Sequence, residues 1–288
     1  MLVWLNGRLV DARRARVSAL DRGLLHGDGV YDTWRTYGGQ PFALSRHLAR
    51  LAAATRRLGL PAPGDAAMWA ARTRLLLARN RLADGAARLT ITRGAAGMGP
   101  APDHAEPPTM LLTVRPIPAN LAALHEDGVT ATLLPFARDA GPGWGAVKLV
   151  GHASAVVGKM RAARKHAFEG LYVTPEGFVT EGTTSNLFAV VRGVLLTPPA
   201  DGTILRGVTR DLVLRVAQRA GIPVHEAPLR ATRLHRADEL FVTASTIELV
   251  AVTRLDGRRI GDGRPGPVVA RLRAGYQAMV ALDRRAKS

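Results

Sequence analysis

Apolar positions cluster early in the chain: Leu2 to Leu5 form a short run that breaks at Asn6-Gly7, a pair suited to a tight hairpin turn, and Arg8 to Val10 reads as the returning strand. β-favouring residues then alternate from Gly29 to Tyr37, and Gly38-Gly39 turns the chain. From Leu44 to Leu58 the spacing changes to that of a helix, with Leu48, Leu51 and Leu58 on one side, and a second helix is predicted over Ala66 to Leu82. Ala87 to Arg93 and Thr109 to Val114 read as strands around a long Gly/Pro-containing loop, Gly94 to Pro108. Loops of that length inside a compact domain are often functional.

Pro116-Ile117-Pro118 has the composition of a linker and divides the chain into an N-terminal α/β domain, 1–117, and a C-terminal domain, 118–288. Beyond it, Val129 to Leu134 reads as a strand and Leu149 to His166 as a helix. Leu171 to Val173, Phe178 to Thr180, Asn186 to Val191 and Val194 to Leu196 read as a meander with turns at Pro175-Glu176-Gly177 and Arg192-Gly193. Thr209 to Ala220 is a predicted helix with Gly221 just past its end. Glu239 to Thr243 and Leu249 to Val252 are strands around the polar turn Ala244-Ser245-Thr246, and Val268 to Ala281 is a terminal helix. The pattern is that of a two-domain α/β (α+β) protein without internal repeats.

Composition narrows the classes. The chain has 288 residues, 47% hydrophobic and 22% charged, as expected of a globular protein with a sizeable core. No apolar run is long enough for a membrane helix, and the start lacks the pattern of a signal peptide. The absence of cysteine rules out disulfides and thiolate metal sites, no metal is expected, and the composition fits a cytoplasmic protein. The net charge of +17 raises the alternative of nucleic-acid binding, but the arginines are scattered among alanines, with no basic tail and no aromatic-basic interleaving. No nucleic-acid partner is expected.

One detail of the charge matters more. Of 40 basic residues only Lys148, Lys159, Lys165 and Lys287 are lysines. Lys287 is terminal, and Lys159 and Lys165 sit in a basic helical stretch where solvation is expected. Lys148 stands between Gly145-Ala146-Val147 and Leu149-Val150, and reads either as an edge-strand lysine or as a buried amine used for Schiff-base chemistry. Leu205-Arg206-Gly207-Val208-Thr209-Arg210-Asp211 leads a glycine turn into a helix, whose free amides can bind a phosphate, with Thr209 as N-cap or hydroxyl donor. Thr243-Ala244-Ser245-Thr246 is a second hydroxyl-rich turn, and Glu181 supplies a carboxylate in Val179-Thr180-Glu181-Gly182. A lysine, a phosphate cradle and an acid for a pyridine nitrogen are what a pyridoxal-5'-phosphate (PLP) site requires.

In order and spacing these segments resemble the class IV aminotransferases, the fold type IV PLP enzymes, over nearly the whole chain. The resemblance is carried by Asp21-Arg22-Gly23 with Gly27-Asp28-Gly29-Val30-Tyr31, His47-Leu48-Ala49-Arg50-Leu51, Thr92-Arg93-Gly94, Lys148, Glu181-Gly182, Ser185-Asn186-Leu187-Phe188, Thr197-Pro198-Pro199, Ile204 to Asp211 and Phe241 to Glu248. It implies a PLP cleft at the domain interface and a homodimer. It also implies Lys148 as the Schiff-base lysine and proton carrier, Arg50 on the phosphate and Glu181 on the pyridine nitrogen. Leu205 would pack on the ring, while Gly207, Val208, Thr209 and Ser245 would complete the phosphate cradle. Tyr31, Thr33, Arg88 and Ala244 would line the substrate pocket.

The chain also departs from its relatives. Asn or Asn-Tyr usually follows the lysine four or five places on, where this chain has His152 and Ala153. Branched-chain enzymes commonly have tyrosines at the places of His26 and Ala86. The loop at Met98 resembles the lyase-like loop without its arginine, and His104 is the histidine available where D-amino-acid transaminases carry one. The expected activity is amino transfer between an amino acid and a 2-oxo acid; the alternative is 4-amino-4-deoxychorismate lyase, which gives 4-aminobenzoate and pyruvate, and Thr33 is a residue often found in lyases.

Overall fold

The structure, a computed structural model, describes residues 1–101, 107–138 and 143–286. Its contacts define two compact units: Met1–Ile117 with Val147–His152 and Val280–Ser288, and Pro118–Ala146 with Ala153–Met279. Lys148 therefore packs with the first unit, although the sequence reading set it within 118–288.

The first unit contains β1 (Leu2–Leu5), β2 (Arg8–Asp11), α1 (Arg22–His26), β3 (Gly29–Tyr37), β4 (Gln40–Pro41), α2 (Leu44–Leu58), α3 (Ala66–Arg79), β5 (Ala86–Thr92) and β6 (Thr109–Arg115). The strands form one antiparallel sheet in the order β2-β1-β6-β5-β3-β4. Val3, Trp4, Val30, Trp34, Leu89, Ile91, Leu112 and Val114 are buried on the strands, and the helices bury Leu48 and Leu51 of α2 and Trp69, Leu76 and Leu77 of α3. Trp34 Nε1 donates to Thr73 Oγ1 of α3 at 3.3 Å, so the indole keeps a partner in the core. Asp65 caps α3 by accepting from the Met68 amide at 3.0 Å. That helix ends at Arg79 rather than Leu82, and Asn80 holds the start of β1. Its side chain accepts from the Leu2 amide at 2.7 Å and donates to the Leu2 carbonyl at 2.9 Å.

The second unit contains α4 (Leu121–Asp127), β7 (Val129–Leu134), α5 (Ala153–Arg164), β8 (Glu169–Val173), β9 (Phe178–Gly182), β10 (Asn186–Val191), β11 (Val194–Thr197), α6 (Val208–Arg219), β12 (Val224–Glu226), β13 (Leu229–Arg230), β14 (Glu239–Ala244), β15 (Glu248–Leu255), β16 (Arg258–Arg259) and most of α7 (Pro267–Arg285). Its sheet runs β12-β11-β10-β14-β15-β7-β8-β9-β13, with β16 on β15. Phe188 and Phe241, register partners on β10 and β14, stack with centroids 4.8 Å apart at the centre of the core. Gly158 lets α5 approach the sheet closely: a Cβ there would lie 2.5 Å from Thr183 Cγ2 and 2.9 Å from Leu134 Cδ1.

Two expectations are corrected here. The helix predicted over Leu149 to His166 begins only at Ala153. The residues before it are taken by a ladder with β3: the Tyr31 amide donates to the Lys148 carbonyl at 3.0 Å, the Val150 amide to the Gly29 carbonyl at 2.9 Å, and Val30 bridges Leu149. Lys159, expected in solvent, has its Nζ 3.0 Å from Glu169 Oε1 and 2.9 Å from the Phe168 carbonyl. Glu169 is fully buried, and it also accepts from the Thr183 amide and hydroxyl and from Ser185 Oγ. A buried carboxylate demands such partners, and a lysine on the neighbouring helix supplies the charge.

A second buried acid ties α2 to β3. Asp32 is fully buried and binds Arg50 through Nε and Nη2, both at 2.8 Å, and His47 Nδ1 at 2.8 Å. Burial alone would raise the Asp32 carboxyl, but Arg50 and His47 beside it hold it well below the usual carboxylate range. For His47, burial pushes the imidazole below its ordinary value, against the pull of Asp32. Because the folded-state value of Asp32 is depressed, its contribution is complete above the ordinary carboxylate value and is lost as pH falls toward the folded one. Asp32→Asn is expected to cost about 3–5 kcal/mol near neutral pH. The gap to the parent should narrow as the medium is taken below pH 3.8, the ordinary value of the carboxyl. Urea midpoints across a pH series read this directly, and a gap that stays constant into acid contradicts the ion-pair account.

Candidate active site

Lys148 is half-buried, and its backbone lies in the ladder with β3 rather than in a free edge strand or a helix. The ladder places its amine over a neighbouring side chain: Lys148 Nζ is 4.6 Å from the ring centroid of Tyr31. The same ring carries the guanidinium of Arg88, whose Cζ is 3.7 Å from the centroid. Arg88 reaches it from β5, where it pairs with Thr33, and its Nε donates to Thr90 Oγ1 at 3.2 Å. Alternation along β5 thus sets Arg88 and Thr90 on one face, as the pattern predicts. Burial pushes the Arg88 guanidinium below its ordinary value, while Tyr31 pulls it back. Among the described residues Arg88 has no carboxylate partner, which is unusual for a half-buried arginine.

Four further groups around this set were given no role from the sequence. His152 forms a hydrogen bond to Tyr31 Oη through Nε2. Asp32 and His47 fix Arg50, and by strand alternation Asp32 lies on the face of β3 opposite Tyr31 and Thr33. The i, i+3 spacing of His47 and Arg50 on one helix was the available signal. Arg22 secures the loop that begins at Gly94: it donates to the carbonyls of Gly99 at 2.8 Å and Pro100 at 2.7 Å, and to Asp28 at 2.9 Å. Met98 in that loop is 74% exposed, and His104 lies outside the described residues.

The second unit gathers the other predicted residues around Asn186. Glu181, at the end of β9, is buried; its Oε1 accepts from Arg138 at 2.7 Å, and its Oε2 accepts from the Leu205 amide at 3.1 Å and from Asn186 Nδ2 at 3.4 Å. Asn186 Nδ2 also donates to the Leu205 carbonyl at 2.8 Å, so Leu205 is held at both backbone atoms. Gly207 follows, and only glycine fits: a Cβ would lie 2.0 Å from Asn186 Oδ1. α6 then starts with Gly207, not Thr209, as its N-cap residue. Val208 and Thr209 are buried in its first turn, where helical amides have no intrahelical acceptor. The strand β14 pairs Thr243 with Asn186 and ends at Ala244, and Ser245 follows in the half-buried turn to β15. Thr243 Oγ1 is buried without a hydrogen-bond partner among the described residues.

A buried, fixed carboxylate, a helix start reached through a glycine that tolerates no side chain, and an unpartnered buried hydroxyl form a donor set that fits a phosphate-bearing pyridine. Arg138 and Asn186 are the parts of it that sequence reasoning missed. Asn186 was visible only as a motif residue, and Arg138 lies in an irregular stretch with no periodic signal. Groups of histidine and carboxylate residues able to hold a metal are absent among the described residues.

Comparison with known proteins agrees with these features. The family model for amino-transferase class IV matches residues 29–255. A protein named as a branched-chain-amino-acid aminotransferase from Methanocaldococcus jannaschii is 36% identical over 281 residues, covering 96% of each chain. A D-alanine aminotransferase from Listeria innocua is 33% identical, over 94% of this chain and 93% of its own. The Escherichia coli branched-chain amino acid aminotransferase has the same fold, with a TM-score of 0.88 at 30% identity, over 96% of this chain and 93% of that one. A hypothetical aminotransferase from Mycobacterium tuberculosis, solved in its PLP-bound form, gives 0.84 at 28% identity, over 98% of this chain and 100% of that one. These likenesses favour amino transfer over the lyase alternative, and the chain belongs to the class IV aminotransferases, PLP-dependent enzymes that move an amino group between an amino acid and a 2-oxo acid.

Proposed function

We propose that the amino donor and acceptor of this enzyme carry a free carboxylate that Arg88 binds. The observation that supports it is the half-buried Arg88 guanidinium, without a carboxylate partner among the described residues, lying on the same tyrosine ring as Lys148 Nζ. A guanidinium pairs a carboxylate through two parallel hydrogen bonds. Tyr31 and Thr33 line the substrate's path in this reading.

PLP, when bound, supplies the electron-withdrawing ring that weakens the Cα–H bond of the substrate. Lys148 Nζ would hold the cofactor and would serve as the proton carrier at the substrate Cα. Glu181 is oriented by Arg138, Asn186 and the Leu205 amide, and would face the pyridine nitrogen. By the family resemblance, Leu205 would pack on the ring, and Arg50, the amides of Gly207, Val208 and Thr209, and the hydroxyls of Thr209 and Ser245 would hold the phosphate. Asp32 serves this role by fixing the plane of the Arg50 guanidinium.

We further propose a homodimer acting in the cytoplasm. No described helix is long and apolar enough to cross a membrane. Val156, Val157 and Met160 on α5, and Leu20, Leu24 and Leu25 around α1, are exposed apolar groups of the kind an interface covers. Sedimentation equilibrium should give twice the chain mass; a monomer at micromolar concentration contradicts the dimer.

Borohydride reduction of the loaded enzyme, followed by peptide mapping, should label Lys148, and Lys148→Ala should lose both the yellow colour and turnover. A label on Lys159 or Lys165 instead contradicts the assignment. Arg88→Leu should raise KM for amino acids and 2-oxo acids by about tenfold or more, while a primary amine without a carboxylate is affected little. Equal losses for both substrate types, or none for either, would return Arg88 to a purely structural role.

A further inference from the structure

His152 lies just beyond the stretch that ladders with β3, four residues after Lys148. Its ring meets the ring of Tyr31 edge-on, with centroids 5.1 Å apart and planes inclined by 62°, and Nε2 bonds to the phenolic oxygen. The backbone of Tyr31 is fixed by two partners, β5 on one side and Lys148 on the other. The bond at Oη adds a fixed point at the far end of a ring that Arg88 and Lys148 also contact. The ring in turn is the surface on which Arg88 lies; apart from this stack, Arg88 has its Nε bond to Thr90 as a tether.

We propose that His152 is a positioning residue for the substrate carboxylate: by holding Tyr31 Oη it fixes the platform that orients the Arg88 guanidinium. This rests on the reading of Arg88 as the carboxylate clamp. His152 acts through Tyr31, and its effect is that of preorganisation, so its loss weakens carboxylate binding without removing a group that takes part in proton transfer. Lys148 lies against the same ring, so the clasp also keeps the amine and the clamp in one fixed arrangement within the first unit.

The test compares His152→Leu, His152→Gln, Tyr31→Phe and the double variant Tyr31→Phe/His152→Leu, with Arg88→Leu as the reference. One readout is the Kd of 4-methylvalerate, an unreactive carboxylate, measured by calorimetry on the cofactor-loaded protein; the other is the split between KM and kcat. His152→Leu is expected to weaken 4-methylvalerate binding and raise KM by about 5- to 10-fold, the worth of one hydrogen bond, with kcat held within about twofold. His152→Gln should restore most of the affinity, because its amide reaches as far as Nε2. Tyr31→Phe should match His152→Leu, and the double variant should be no worse than either, since both remove the same link. If His152→Leu does not fold, Tyr31→Phe and His152→Gln carry the comparison alone, the first weakened and the second not.

Parent-like affinity in His152→Leu, with affinity lost in Arg88→Leu, overturns the proposal and leaves the clamp standing. Additive losses in the double variant overturn it too, because the two side chains then act separately. A fall in kcat with KM unchanged assigns His152 to chemistry and not to positioning. Parent-like binding in Arg88→Leu removes the clamp itself, and the proposal with it.

Discussion

The functional arrangement of the first unit depends on a short ladder between two segments far apart in sequence. Residues 148–150 pair with residues 29–31, and the pairing decides where the helix α5 can begin, what lies beside Lys148 and which strand face its amine overlooks. Gly27 and Gly151 meet at its edge: a Cβ on Gly27 would lie 3.3 Å from the Gly151 Cα. The left-handed backbone of Gly27 adds a second reason for glycine there. Without the ladder the apolar run after Lys148 would be free to continue the helix, and the lysine would sit on a helical turn instead of against Tyr31.

Buried acids organise the rest, each met by a cation or a set of amides. Asp32 binds Arg50 and His47, Glu181 binds Arg138 and the Leu205 amide, and Glu169 binds Lys159 and the 183–185 turn. Such pairs fix geometry more dependably than they add stability, since desolvating two charges consumes most of their attraction. In a chain with 40 basic and 23 acidic residues, many arginines must find solvent or carbonyls instead. Arg22 does so with the loop at Gly99 and Pro100, and Arg210 with the Pro198 carbonyl and Glu226. Arg88 is the contrasting case, desolvated and without an internal carboxylate among the described residues. That contrast is the physical basis for assigning it an external anion.

Local signals were legible where local physics decides. The strand Gly29 to Tyr37 and the helix Leu44–Leu58 appear with the boundaries their residues predict, and the Asn6-Gly7 hairpin appears with its second strand one residue longer, to Asp11. Lys148 stood out because the chain otherwise uses arginine. What escaped the sequence depends mostly on partners outside the local window: the start of α5 is set by Gly29 and Tyr31, and the fate of Lys159 by Glu169. His152 was visible as an unusual residue after the lysine, but its bond to Tyr31 exists only once the ladder has formed. Asn186 could be noticed as a motif residue, yet its function as a hub between Glu181, Leu205 and Gly207 is a matter of three-dimensional packing.

The central claim is that this site accepts amines that bear a carboxylate, because Lys148 shares the Tyr31 ring with an arginine that has no carboxylate partner among the described residues. Single-turnover absorbance of the loaded enzyme tests it most directly, comparing an α-amino acid with the amine left when its carboxylate is removed. The account predicts that the amino acid converts the yellow cofactor to pyridoxamine phosphate at least about 100-fold more efficiently than the amine, as expected when a site built for a charged group meets a substrate lacking it. Conversion by the amine at the same efficiency would contradict it.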